Sequence, residues 1–441
     1  MKQSKHNIYY SPKEVRTILE RSIDTALDGL KGYCNDPVSD FTRCRKLPAR
    51  TLIECIMSFS NYSSIGELSH FFVGQGEMPS ASALSQRRQL LDPDIFKRIN
   101  NLFVSAFDDH TTINGYHILA QDGSDVNIPF MDDKTKTEKH DAKFFCQYHV
   151  NALYDCLNKV FYDWSIDAAS KKREVNALIS ILKDRNYPQN SIFTADRGYE
   201  SYNLMAHFIE NDTKFVIRVK DIHTKSGLMT NTKTEEGAFD MRINRTLTSL
   251  QTKEIKADKE KYIFVPSTSN FDFLDENRDF YDLSFRAVRF KISEDTYETV
   301  VTNLSEEEFK TEDFKELYHY RWNEETAFNK LKYTIGLVYF HARKRKLIQQ
   351  EINAAFLMYN VSEVIIRNID LKKNKKPELE YDYKPNFSSA VTNIRLYLRK
   401  KISMKELILR IKKFLVAQRP ERSYERNIKG QSCKPLNYRT S

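Results

Sequence analysis

The chain has 441 residues with 12% aromatic, 29% charged and only 12 glycine residues, a globular composition too long for one ordinary core, so two to four domains are expected. No apolar run of membrane length occurs, and the opening MKQSKHNIYYSPKEV lacks the apolar core of a signal peptide; this predicts a cytoplasmic protein with no membrane partner. The net charge of +9 is local: residues 400–441 hold twelve Lys/Arg against three Asp/Glu while the rest balances at 57 against 57, so the basic tail is suited to a polyanion such as nucleic acid.

In chain order, residues 1–112 read as helical. Positions 12–30 carry a helix pattern, and LPARTLIECIMSFSNYSSIGELSHFF carries another. MPSASALSQRRQLLDPDIFKRINNLFVSAF joins a serine-rich start to the basic pair Arg87 and Arg88, an arrangement that suits an N-cap and phosphate contact. The pattern changes after Asn114-Gly115. Over 113–220 it predicts a strand (YHILAQDGSDVNIPF), a hairpin (KFFCQYHVNALYD and KVFYDWSID), a helix (REVNALISILKD), a strand (SIFTADRGY), a helix (SYNLMAHFIE) and a strand (KFVIRVK). That order gives a mixed sheet with helices on its faces. Residues 221–304 are polar and alternate at the strand period, as in FYDLSFRAVRFKIS, so they are expected to form a separate antiparallel insertion. Helix returns over 305–350, and 351–441 is expected to be helical and basic, with AAFLMYNVSEVIIRNI as a buried helix and apolar helical spacing over 403–418.

The chemistry concentrates at three acids. Asp122 follows HILAQ and Asp196 follows SIFTA, and ligands of open sheets collect at such strand ends. Each acid alone reads better as a turn or cap aspartate beside a glycine. The third lies in YHYRWNEETAFNKLK: at about 100° per residue, Tyr318, Arg321, Glu325 and Lys332 fall within about 60° on one helix face. A simple Arg321–Glu325 surface pair would have the weaker of the two orientations. Three carboxylates from two strand ends and a helix would instead suit two magnesium ions, with the basic groups gripping phosphates. The six cysteines form no CxxC pair, and no Walker A, GxGxxG or HExxH sequence occurs, so no zinc ribbon or nucleotide cofactor is expected.

The spacing Y-x2-R-x3-E-x6-K at Tyr318, Arg321, Glu325 and Lys332, with LAQDGSDVNIP around Asp122 and FTADRGY around Asp196, resembles the DDE insertion-sequence transposases of the IS-four family type. The resemblance spans roughly residues 40–360. It implies an α/β fold in which an RNase H-like catalytic core, a mixed five-stranded sheet with helices, is interrupted by a β-rich insertion and flanked by helical regions. It also implies Asp122, Asp196 and Glu325 as catalytic and metal-binding residues for two Mg2+ ions, with Mn2+ as a substitute. The implied partners are double-stranded DNA, as terminal inverted repeats and target, and a second copy of the chain in a synaptic homodimer; the implied setting is the bacterial nucleoid. Tyr318, Arg321 and Lys332 would contact DNA, with Arg197, Trp322, Arg87 and Arg88 as further candidates; Trp322 also reads as a core anchor. Some relatives hold a flipped base with a tryptophan in the insertion, whereas 221–304 here has none, and Tyr262, Phe264, Phe271, Phe273 and Tyr281 are the aromatic faces on offer. Two other readings stay open: a catalytically inactive DNA-binding derivative, and a metal-dependent nuclease without strand transfer.

Overall fold

The structure, a computed structural model, describes residues 1–5, 9–43, 45–74, 76–129, 136–138, 144–168, 174–224, 226–269, 271–293, 296–371 and 381–418. The tail 419–441, with six of the twelve Lys/Arg counted over 400–441, lies outside the described residues.

A short strand β1 (Gln3–Lys5) precedes five helices: α1 (Pro12–Asp28), α2 (Ala49–Met57), α3 (Ser64–Phe72), α4 (Ala81–Leu90) and α5 (Asp94–Val104). Local chemistry sets the start of α1. Pro12 occupies its first turn, the Ser11 amide donates to Glu14 Oε2 at 2.7 Å, and the Glu14 amide donates back to Ser11 Oγ at 3.3 Å. Strand β2 (Thr111–Ile113) pairs with β1 and leads into the sheet.

The sheet begins with β3 (His117–Ile128), β4 (Lys136–Glu138), β5 (Phe144–Asp155) and β6 (Val160–Ala168). Next come α6 (Glu174–Asp184), β7 (Ser191–Ala195), α7 (Tyr202–Glu210) and β8 (Lys214–Val219). The order is β4-β5-β3-β7-β8, with β6 also on β5; β3, β7 and β8 run parallel and β5 antiparallel to β3. All five residues of β7 are buried, which explains the unbroken apolar run SIFTA.

Residues 221–304 do not stand apart as the sequence suggests. They form β9 (Phe239–Thr248), α8 (Lys253–Ala257), β10 (Tyr262–Phe264), β11 (Phe280–Ser293) and β12 (Thr296–Thr302). Strand β12 pairs antiparallel with β8, so the sheet continues as β8-β12-β11-β9-β10 into one of ten strands, where a core of five was expected. The physical reason is the open edge of β8, whose unpaired amides and carbonyls need partners. Buried side chains from both parts, among them Leu119, Phe193, Val219, Ile243, Tyr281 and Val301, share one apolar cluster.

Helices α9 (Asp313–His319) and α10 (Trp322–Lys330) return to the sheet. Helix α11 (Arg345–Arg367) follows, and eighteen of its 23 residues are buried, which makes it the axle between the N-terminal helices and the sheet. Its polar groups are paired: Trp164 Nε1 donates to Asn353 Oδ1 at 2.8 Å, and Asn360 Nδ2 donates to Asn100 Oδ1 at 2.7 Å. The domain boundary expected between residues 350 and 351 therefore falls inside a helix. The described residues end with β13 (Asp382–Pro385), α12 (Phe387–Leu398), α13 (Met404–Lys413) and β14 (Leu415–Gln418), the last a strand where helical spacing was expected to continue. Among the described residues no helix is long and apolar enough to cross a membrane.

Candidate active site

The parallel ladder between β3 and β7 ends at the pair Ala120–Thr194. Asp122 and Asp196 each lie two residues further along, so the two acids emerge side by side where the ladder stops. They are held differently. Asp122 sits within a strand that runs on to Ile128 against β5, and its Oδ1 accepts from the Gly123 amide at 2.8 Å. Asp196 caps the short 3-10 turn Arg197–Tyr199, its Oδ1 accepting from the Gly198 amide at 2.7 Å.

The third acid arrives on α10, which packs on β3. Arg321, just before that helix, has Nη1 at 3.9 Å from Asp122 Oδ2 and Nη2 at 3.6 Å from Glu325 Oε1. Its guanidinium is buried, which disfavours charge, but Tyr318, Asp122, Glu325 and Asp196 together favour the charged form. One cation is thus in the field of all three acids. Burial pushes the Asp122 carboxyl up to about 6, with Asp196 and Glu174 adding to the rise and the Gly123 amide and Arg321 opposing it. Among the described residues, no group of three or more His, Cys, Asp or Glu side chains is already spaced to enclose a metal ion. The donor set nevertheless suits magnesium, which takes a few carboxylates and keeps its remaining positions for water and phosphate oxygen.

The motif around Glu325 is not one uniform helix. It is split between α9 and α10, and Lys332 lies beyond α10 in a π-helical turn, Leu331–Ile335, closed by Gly336 at φ 120°. The expected outward stripe therefore faces inward. Tyr318 is 2% exposed with its hydroxyl unpaired, and Arg321 is 4% exposed, so neither is placed to grip a phosphate as the protein stands. Burial lowers the Lys332 amine, opposed by Asp125 and Asp122, so it too looks toward the acids. Trp322 is 41% exposed and is no core anchor; its ring lies 5.1 Å from the Arg321 guanidinium carbon. Arg197 is exposed beside Asp196.

Arg87 and Arg88 need correction as DNA contacts. Arg88 is 3% exposed, donates to Leu347 O at 2.7 Å and Gln350 Oε1 at 3.2 Å, and pairs with Glu351 at 2.8 Å. Arg87 donates to Leu47 O at 3.1 Å and covers the Phe41 ring. Arg88 ties α4 to α11 and Arg87 ties α4 to the segment before α2, because a guanidinium carries enough donors to satisfy several acceptors at once.

Sequence reasoning missed three residues. Glu324 is fully buried; burial, then the Asp122 charge, push its carboxyl well above the usual range, opposed by Arg321 and by a hydrogen bond with the Asp122 backbone. His149 on β5 is 2% exposed, with Nδ1 2.7 Å from Asp125 Oδ1 and Nε2 3.0 Å from Glu174 Oε1. Its burial disfavours charge, but the two carboxylates outweigh this and raise the imidazole to about 9. Glu174 opens α6, where an acid is an ordinary first-turn residue, so nothing local singled it out.

The structure is similar to a piggyBac transposase synaptic complex with hairpin DNA, at 12% identity and a TM-score of 0.46, over 96% of this chain and 90% of that one. No curated protein matches the sequence. The family model of the transposase DDE domain matches residues 113–361, more than half of the chain and the whole stretch carrying the three acids. The chain belongs to the transposase DDE domain family.

Proposed function

We propose that this protein is a transposase that binds terminal inverted repeats as a dimer, nicks DNA at their ends and joins the resulting 3′-hydroxyl to target DNA. Asp122, Asp196 and Glu325 hold two Mg2+ ions, which Mn2+ can replace. The observation that carries this reading is the convergence of Asp122 and Glu325 on the Arg321 guanidinium, with Asp196 in the same field. When bound, such ions activate a water or hydroxyl and stabilise the leaving oxygen of a phosphodiester. Asp122, Asp196 and Glu325 bring three carboxylates to one place against the single Arg321 guanidinium, which favours a divalent cation there. Arg321 neutralises the acids until the metal arrives, and Lys332 orients Asp122. Exposed Arg197 and Trp322 meet the DNA at the rim, the guanidinium by phosphate contact and the indole by stacking.

The test is cleavage of end-labelled DNA carrying the inverted repeats that flank the reading frame, with magnesium. Asp122→Asn and Glu325→Gln are each expected to lower cleavage by at least about a thousandfold, equivalent to about 4 kcal/mol of barrier, while still shifting repeat DNA on a gel. Variants that cut like the parent would remove the triad assignment. A parent that shifts the DNA but never nicks it would make the protein a binding derivative, and nicking without joining of a pre-cut end to plasmid would make it a nuclease.

A further inference from the structure

Where the β3–β7 ladder ends, no backbone hydrogen bond fixes the separation of Asp122 and Asp196. A side chain from a third element lies at that gap. Glu174, at the start of α6, places Oε1 only 2.8 Å from where a Cβ on Gly123 would stand, and Oε2 3.8 Å from where one on Gly198 would stand. Gly123 directly follows Asp122, and Gly198 is the residue whose amide Asp196 caps. One carboxylate therefore lies within 4 Å of where a Cβ on either glycine would stand. Its partner is His149, whose Nε2 lies 3.0 Å from Glu174 Oε1 and 2.3 Å from the same notional Gly123 Cβ, while its Nδ1 is held by Asp125 at 2.7 Å. His149 faces Asp125 directly across the β3–β5 pairing, so the ring is anchored within the sheet.

We propose that Glu174, braced by His149, is a positioning residue that ties the Asp122 segment to the Asp196 segment beyond the end of their shared ladder. A carboxylate is suited to this task because its two oxygens can serve two neighbours at once. The role rests on Asp122 and Asp196 being the acids that take the metal; the tie itself is a matter of backbone order and can be read without metal.

The experiment uses the full chain as parent, Glu174→Ala, Glu174→Gln and Asp122→Asn. Amide hydrogen exchange without metal is followed over residues 120–125 and 195–200, and Mn2+ binding is titrated by electron paramagnetic resonance without DNA. Glu174→Ala is expected to speed exchange about tenfold in both segments together, leaving β11 and α11 unchanged. It is also expected to weaken Mn2+ binding by about tenfold, as loss of a residue behind metal ligands does, with the thermal midpoint near the parent's. Glu174→Gln keeps the length but loses the ion pair, and should fall between the two. Unchanged exchange in either segment, or faster exchange confined to α6, overturns the proposal. If Glu174→Ala does not fold, Glu174→Gln is judged by the same exchange, and parental protection in it overturns the proposal. A parent that binds no Mn2+ sinks the metal assignment, while exchange still decides the tie.

Discussion

At the scale of single residues, the site depends as much on missing atoms as on charged ones. Gly123 has no positive φ to explain it; what it lacks is room, since a Cβ would stand 2.3 Å from His149 Nε2 and 2.6 Å from Cε1. Gly123→Ala must push the ring or the strand aside, at a cost of about 1–3 kcal/mol, the usual range for overpacking. The expected outcome is a lower urea midpoint with an unchanged slope, and an unshifted midpoint would mean that the ring moves freely. The acids Asp122, Asp196 and Glu325 were visible in the sequence because their spacing and neighbours form motifs. Glu174, His149 and Glu324 were not, because their importance lies in what surrounds them in space. Glu324 stands next to Glu325 and is chemically identical to it, yet one is fully buried and the other half-buried at the surface of the site.

At the scale of elements, the N-terminal helices meet α11 through a buried polar cluster. His341 Nδ1 lies 3.0 Å from Glu351 Oε2, and its Nε2 lies 3.0 Å from Tyr62 O and 3.3 Å from Glu67 Oε1. Arg88 completes the cluster at Glu351. Burial alone would raise the Glu351 carboxyl, but Arg88 and His341 hold it down at about 2. A folded-state value below the unfolded one means stability that is present above about pH 4.5 and lost as pH falls toward 2, about 3 kcal/mol for this one group. Urea unfolding between pH 5 and 2.5 should show this loss, and Glu351→Gln should flatten it; an equal slope in both would place the acid sensitivity elsewhere. His341 itself is buried. Helix α11 was legible because its apolar residues run all round it. Strand β9 was overlooked: Phe239, Met241, Ile243 and Leu247 keep the strand period, but Arg245 interrupts it at an inward position, where it is 3% exposed and donates to Thr232 Oγ1 at 2.5 Å. The break between α9 and α10 and the π-helical turn after α10 were also hidden, since neither leaves a mark on residue spacing.

At the scale of the whole molecule, residues 221–304 share both a sheet and an apolar cluster with the strands that carry the aspartates. Their polar, alternating sequence correctly indicated β structure but could not reveal which edge they would join, because pairing partners are set by long-range geometry and not by local pattern. Excising 221–304 behind a short linker should therefore leave the outer edge of β8 unpaired and remove nine of the 25 buried residues of the cluster. The expected product is an insoluble chain, or one whose hydrogen-exchange protection in β7 and β8 has collapsed. Native-like protection in those two strands would show that the sheet carrying the aspartates stands without its extension. The continuous sheet also has a mechanical meaning. Six strand spacings separate β10 from β3, about 29 Å at the usual distance between neighbours, and every step between them is hydrogen-bonded. With no hinge along that path, torque from a long polymer pressing on the far rim would reach Asp122 as rotation of a stiff plate, so leverage there would tilt the acid instead of being absorbed on the way.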